Sequence, residues 1–267
     1  MKSFFVSAWR SGLRGHSFQA VFVLGLLLIA GAYLAALFSP RQPEAVALDV
    51  GLSGMRFALV LLALFWVQEL VGKEIDRRTT ILYLAYPIQR AYYVLGRFVG
   101  IATLLMVACV ILGLLLWLAV LAASNEYAQI HPGALGLPYW MTLFGLWLSV
   151  VLVAAFALCI ATISTVPALP LALGVAFAVA GNSLGAVADF LAHGAGGQKE
   201  LVTQYSPALE LIRSVLPDLS RLDWRIWPMY NQTLPTGAVS LSCLMAGCYL
   251  ALMLGVAIYA FKLREFD

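Results

Sequence analysis

Six runs of apolar residues, each near or above the length of a membrane span, leave this chain few folds to choose from. They cover residues 18–38, 55–71, 92–122, 139–163, 169–191 and 237–261. An α-helix needs roughly 20 mostly apolar residues to cross about 30 Å of hydrocarbon. Each run therefore predicts a transmembrane helix, and the fold class is an all-α integral membrane bundle. The third run exceeds one span and is expected to tilt or to extend past the bilayer. Composition agrees: the chain is 63% hydrophobic and 11% charged, with a mean hydropathy of +0.93, where a soluble domain carries about 25% charged residues. Six spans leave little room for a soluble domain, so residues 1–267 read as a single transmembrane domain.

The first run is read as a retained span, because no small-x-small cleavage pattern precedes Pro40. Cys109, Cys159, Cys243 and Cys248 all fall within predicted spans and read as packing residues, without a disulfide framework. No metal site or cofactor-binding residue is assigned. The net charge of +3 carries no nucleic-acid signal.

Lys and Arg concentrate in cytoplasmic loops. Ten of them (Lys2, Arg10, Arg14, Lys73, Arg77, Arg78, Arg90, Arg97, Lys262, Arg264) fall on the side of the two termini. Six (Arg41, Arg56, Lys199, Arg213, Arg221, Arg225) fall on the other, where Glu200, Glu210, Asp218 and Asp223 balance the long fifth loop. Both termini are expected in the cytoplasm.

Several segments outside the spans carry pattern of their own. In residues 1–17, Phe5, Trp9 and Leu13 recur every four residues beside Arg10 and Arg14, which predicts a basic amphipathic helix in the cytoplasmic interface. Residues 39–54 read as an outer loop that does not start helically, because Ser39-Pro40 and Gln42-Pro43 disfavour the α region. Residues 192–236 form a longer outer loop. There Leu209, Ile212, Leu216, Leu219 and Leu222 share a helical face interrupted by Pro217, and Trp224, Trp227 and Tyr230 form an aromatic anchor. This loop is expected to lie on or dip into the outer leaflet, as a roof over a pathway or as a passive interfacial segment.

Enzyme chemistry in lipid requires polar groups inside the spans. Asn182, Ser183, Thr162 and Ser164 are the deep ones, and Asp189 sits near the outer end of span five. Asn182 and Asp189 are candidates for pathway lining or helix packing. The absence of paired deep acids disfavours an intramembrane enzyme. Gly72-Lys73 is followed by Glu74, so the Walker phosphate-binding pattern fails and the chain does not hydrolyse ATP in that way. Gly96 with Gly100, and Gly181 with Gly185, place small residues on one helical face, where they suit bundle packing or a dimer seam.

The loop between spans two and three, residues 73–91, is a charged island between apolar runs. Its basic turn, Arg77-Arg78, leads into Ile81, Leu82 and Leu84. That pattern describes a short amphipathic helix able to seat in a groove on a soluble partner.

Glu74, the step Thr80-Ile81-Leu82, the turn Tyr86-Pro87-Ile88-Gln89-Arg90 and the span start Leu95-Gly96-Arg97-Phe98-Val99-Gly100 together resemble type-2 ABC transporter permeases. The stretch Leu216-Pro217-Asp218-Leu219 with Leu222-Asp223 is similar to one before the last span of some members. Arg77-Arg78-Thr79 departs from the family's glycine before the Thr-Leu step, and Trp9-Arg10 stands where a glutamate is frequent. The resemblance implies a permease subunit in a bacterial inner membrane, an exporter that moves a hydrophobic or amphipathic substrate outward. It implies a second permease copy (homodimer or heterodimer), two separate ABC ATPase subunits holding ATP and Mg, and in some cases a periplasmic accessory protein. Glu74, Arg77, Arg78, Thr80, Ile81, Leu82, Leu84, Pro87 and Arg90 would then form the coupling helix against each ATPase. The alternatives are an ABC-type mechanotransmission or maturation complex acting on a periplasmic partner, as in metalloenzyme maturation, and a non-transporting membrane scaffold.

Overall fold

The structure is a computed structural model that describes residues 9, 12, 15–39, 42–72, 90–124, 133–164, 166, 168–192, 217–231 and 236–263. Every regular element among them is helical. Helix α1 is His16–Leu37, α2 is Pro43–Val67 continued by a π-helical turn Gln68–Gly72, and α3 is Arg90–Ser124. Helix α4 is Leu137–Ile163 and α5 is Leu169–Ala192; a 3-10 turn Leu219–Leu222 then leads to α6, Ile226–Tyr230, and α7, Thr236–Leu263. All but α6 are long and apolar enough to cross a membrane, so the chain is a multi-pass membrane protein with the expected six spans among the described residues.

A helix that is apolar all round is covered by neighbours or by lipid. Helix α4 takes the first course: it packs against α2, α3, α5 and α7, and its centre from Leu148 to Ala155 is buried. Helices α1 and α7 take the second, leaving Leu27, Leu34, Leu244 and Tyr259 exposed on the bundle's rim. In α2, Leu48, Leu52, Met55, Leu59, Leu62 and Trp66 alternate spacings of four and three, which gathers them on one face; all six are essentially inaccessible.

The second span corrects one sequence expectation. Residues 39–54 read as an outer loop, yet α2 begins at Pro43, twelve residues before the expected start. Proline is well suited to the first helical turn, where its missing N–H would have no partner anyway. Ala45, Ala47, Leu48, Gly51 and Leu52 then continue the buried face outward. The polar residues Glu44, Asp49 and Ser53 masked that face in the hydropathy pattern.

The two ends of the bundle differ. At one end the Trp66 indole donates to the carbonyl of Gly12 at 3.1 Å, the Trp9 indole donates to Thr103 Oγ1 at 3.0 Å, and the rings of Tyr93 and Phe261 stack at 5.3 Å. These contacts bring Trp9, Gly12 and Phe261 to the same end of the bundle. Arg97 is buried there, over the Tyr93 ring at 5.8 Å. At the far end the amide of Gly133 donates to the buried Glu44, the amide of Ala134 donates to the carbonyl of Pro228 at 2.9 Å, and Thr142 Oγ1 donates to the carbonyl of Trp224 at 3.1 Å.

Candidate functional site

The far-end segment 217–231 is wedged into the bundle. Leu219, Leu222 and Trp224 are buried, and the Trp224 indole donates to the carbonyl of Arg221 at 2.9 Å. Trp224 was expected as a headgroup anchor; instead its ring lies against Gly145 of α4, where a Cβ would come within 3.0 Å of Cε3. Tyr230, by contrast, is exposed. Asn231 ends α6 at φ 51°, a left-handed conformation that asparagine tolerates better than most residues. The turn closes on α5 through two glycines. A Cβ on Gly181 would meet Leu219 Cδ1 at 2.8 Å, and one on Gly185 would meet Ser220 Cβ at 2.7 Å. The Gly181–Gly185 face of α5 thus receives the 3-10 turn. Gly96 and Gly100 are buried within α3.

This wedge carries a charge into the protein. Asp49, Ser53 and Arg56 stand at spacings of four and three on α2, hence on one face, and that face meets Asp223 and Arg225. Arg56 Nη2 lies 2.8 Å from Asp223 Oδ2, and Arg56 Nη1 donates to Asn182 Oδ1 at 3.2 Å. Arg225 Nε lies 2.9 Å from Asp223 Oδ2, while its Nη1 donates to Asp49 Oδ1 and Ser53 Oγ, both at 2.8 Å. Asn182 in turn donates to the carbonyl of Ala178 at 2.8 Å. One carboxylate therefore sits between two guanidinium groups, with Asn182 as the link to α5.

The cluster settles its own protonation. Burial alone would raise the Asp223 carboxyl, but the charge of Arg56 and the hydrogen bonds and charge of Arg225 outweigh it and hold the group below the usual aspartate range. Burial likewise opposes the charge on Arg225, and Asp223 and Asp49 more than compensate. Arg56 stands in the thirteenth position after the helix start, about 20 Å along the axis, inside a spanning helix. An unpaired arginine at the centre of a span costs roughly 2.5–3.5 kcal/mol, which Asp223 offsets here.

Below the cluster a cavity of about 360 Å³ opens between α2 and α5. Phe57, Val60 and Val179 form its apolar walls, and Arg56, Arg225 and Asn182 lie at its polar end.

Of the residues expected to matter, Asn182, Gly181 and Gly185 are brought together by this arrangement. Asp189 lies near the end of α5, and its side chain is outside the described residues. Glu74, Arg77, Arg78, Thr80, Ile81, Leu82, Leu84 and Pro87 also lie outside them; Arg90 opens α3, without a described side chain. Sequence reasoning missed Asp49, Arg56, Asp223 and Arg225 as a unit. It assigned the last three to charge balance on one side of the membrane. The available signal was Arg56 seven residues after Asp49, two helical turns, beside a long apolar run.

Fold and site together define a polytopic helical membrane protein with a polar cluster and a cavity between its second and fifth spans. The chain belongs to the ABC-2 family of transporter proteins, whose sequence profile matches residues 8–266. No curated protein matches the chain. Membership makes it a membrane permease subunit of an ABC transporter, a partner of ABC ATPase subunits.

Proposed function

We propose that this permease is the membrane half of an ATP-driven exporter that moves a hydrophobic or amphipathic substrate outward. Both termini and the 73–91 loop face the cytoplasm of a bacterial inner membrane, and segment 217–231 faces outward. Two ATPase subunits bind ATP and Mg and dock on a dimer of permeases, each through the Glu74–Arg90 region. The observation that carries this reading is the continuity of α2. Residues 53–61 of that helix line the cavity, and the same helix passes through the π-helical turn Gln68–Gly72 directly into the loop. Such π-turns recur at functional sites. A displacement of the loop by a closing ATPase would reach the cavity wall along one rigid element.

The test is co-purification with the ATPase subunit. Arg78→Glu combined with Leu82→Asp should leave the permease in the membrane and abolish recovery of the ATPase. Unchanged recovery removes the coupling assignment.

A second reading is mechanotransmission to a periplasmic partner. It is favoured by the grip of α2 and α5 on segment 217–231, through which motion of α2 would reach the outer surface. It expects ATP-dependent changes in protease access to that segment without any substrate crossing.

A further inference from the structure

The polar cluster draws its members from elements that a cavity keeps apart. Every residue lining that cavity belongs to α2 or α5 except Arg225, which closes the polar end from segment 217–231. The segment thus crosses from α5 to α2 over the cavity, and it grips the two sides by different means.

On the side of α4 and α5 the hold is close packing. Leu219 fills the space beside Gly181, Ser220 that beside Gly185, and the Trp224 ring lies on Gly145. Leu219, Leu222 and Trp224 are essentially inaccessible, so lifting this side would strip dispersion contacts from three glycine seats at once. On the side of α2 the hold at the cavity is ionic. Asp223 takes Arg56, and Arg225 donates to Asp49 and Ser53, each at 2.8 Å. The side chains of Arg56, Asp223, Arg225 and Asp49 are 16%, 20%, 23% and 52% exposed. Water can replace each partner, and ion pairs open to water are the weaker hold. Helix α6 touches α2 and α4 alike and favours neither side. Two guanidinium groups face two carboxylates, so the cluster is balanced and its work is to join two walls. Helix α2 also runs on through the π-helical turn Gln68–Gly72, so a pull from the opposite end acts on the ionic side.

We propose that segment 217–231 is a strap, seated on α4 and α5 and latched to α2 by the Arg56–Asp223 and Arg225–Asp49 pairs. Parting of these pairs opens the outer end of the cavity along α2. This deepens the exporter reading by naming where its exit is held shut, and it rests on that reading for the outward direction.

The experiment uses the full chain in intact cells and a charged, impermeant maleimide, with labelling read residue by residue by mass spectrometry. Val60→Cys, on the cavity wall one turn from Arg56, should react slowly while the strap is latched. Adding Asp223→Asn should speed it at least about ten-fold, a shift of about 1.4 kcal/mol in the balance of closed and open strap. Asp223→Glu keeps the charge and should stay close to the unmutated rate. Leu62→Cys, on the buried face of α2, should stay unreactive in every background. Joining the strap to α5 by a Gly185→Cys, Ser220→Cys disulfide should leave the fast rate unchanged. An unchanged rate at position 60 in Asp223→Asn, equal acceleration by Asp223→Glu, or a disulfide that slows the labelling would each overturn the proposal. So would reaction at position 62, which reports a melting bundle and not a lifted strap. If Asp223→Asn does not reach the membrane, Arg225→Gln removes the second pair and is read in the same way. Co-expression of the ATPase should speed labelling at position 60 with the strap unmutated. If it does not, while Asp223→Asn does, the exporter reading fails and the strap stands.

Discussion

Arg56 on the second span and Asp223 in the segment before the last are 167 positions apart in sequence and 2.8 Å apart in space. The pair joins the far-end segment to the helix that leads into the charged loop at the opposite end. It also places Arg56 over the cavity. One side chain thus belongs both to the ion pair that holds the far-end segment and to the polar end of the cavity.

The strength of that link is measurable as a coupling energy. Exposed ion pairs contribute about 0.2–1 kcal/mol, and breaking a buried pair costs about 3–5 kcal/mol. Arg56 and Asp223 have side-chain exposures of 16% and 20%, between those limits. Asp223→Ala should destabilise the detergent-solubilised protein by about 1–3 kcal/mol. A double-mutant cycle with Arg56→Ala should return a coupling of at least about 1 kcal/mol. Additive effects in thermal unfolding would show that the pair does not act as a unit.

Its pH dependence follows from the direction of the Asp223 shift. The folded carboxyl is held below the 3.8 of an unperturbed aspartate. The stabilisation is thus fully present above the unfolded value and is lost as pH falls through the lower, folded one. The stability difference between wild type and Asp223→Asn should stay constant between about pH 5 and 8 and shrink only in stronger acid. A difference that changes near neutrality would contradict the assignment.

Two glycine substitutions separate close packing from helix propensity. Gly185→Ala places a Cβ 2.7 Å from Ser220 Cβ, whereas Gly247→Ala on α7 meets nothing within 4 Å. Overpacking costs about 1–3 kcal/mol, so Gly185→Ala should lower the melting temperature and expose segment 217–231 to protease. Gly247→Ala should leave both unchanged or slightly raise the melting temperature. Equal behaviour of the two variants would mean that the 3-10 turn is not seated on α5 in solution.

At the opposite end, Trp66→Phe keeps the ring stacked near Phe18 but loses the bond to the Gly12 carbonyl. A lost hydrogen bond to a buried acceptor costs about 1–3 kcal/mol. Limited proteolysis should release the N-terminal residues faster in this variant. Unchanged cleavage would show that Gly12 is held by other contacts.

Topology is testable at single positions. Glu210→Cys should react with an impermeant maleimide on intact cells, and Lys262→Cys should react only after permeabilisation. The reverse pattern would invert the proposed orientation.

The number of spans was legible because apolar length alone decides it: residues 139–163 were expected and Leu137–Ile163 is observed. The start of the second span was not legible. Hydropathy averages Glu44, Asp49 and Ser53 into a polar stretch, whereas the helix buries Glu44 on the face held by Leu48 and Leu52 and turns only Asp49 and Ser53 away from it. Asn182 was flagged because a deep amide is conspicuous in an apolar run. Its partner Arg56 was not, because the acid that neutralises it comes from a loop far along the chain, and no local pattern announces that pairing. The same holds for Gly181 and Gly185. Their spacing announces a close approach but not that a 3-10 turn, rather than a neighbouring span, is what approaches.

The proposed exporter takes its energy from ATP hydrolysed by a separate subunit. The most direct measurement is ATP turnover in nanodiscs, with the chain alone, with its co-purifying ATPase, and with that ATPase beside the Arg78→Glu, Leu82→Asp variant. Turnover that is absent for the chain alone, present in the complex and uncoupled from the permease in the variant is the predicted result. Turnover by the chain alone, or a complex in which the variant behaves like the wild type, would contradict it.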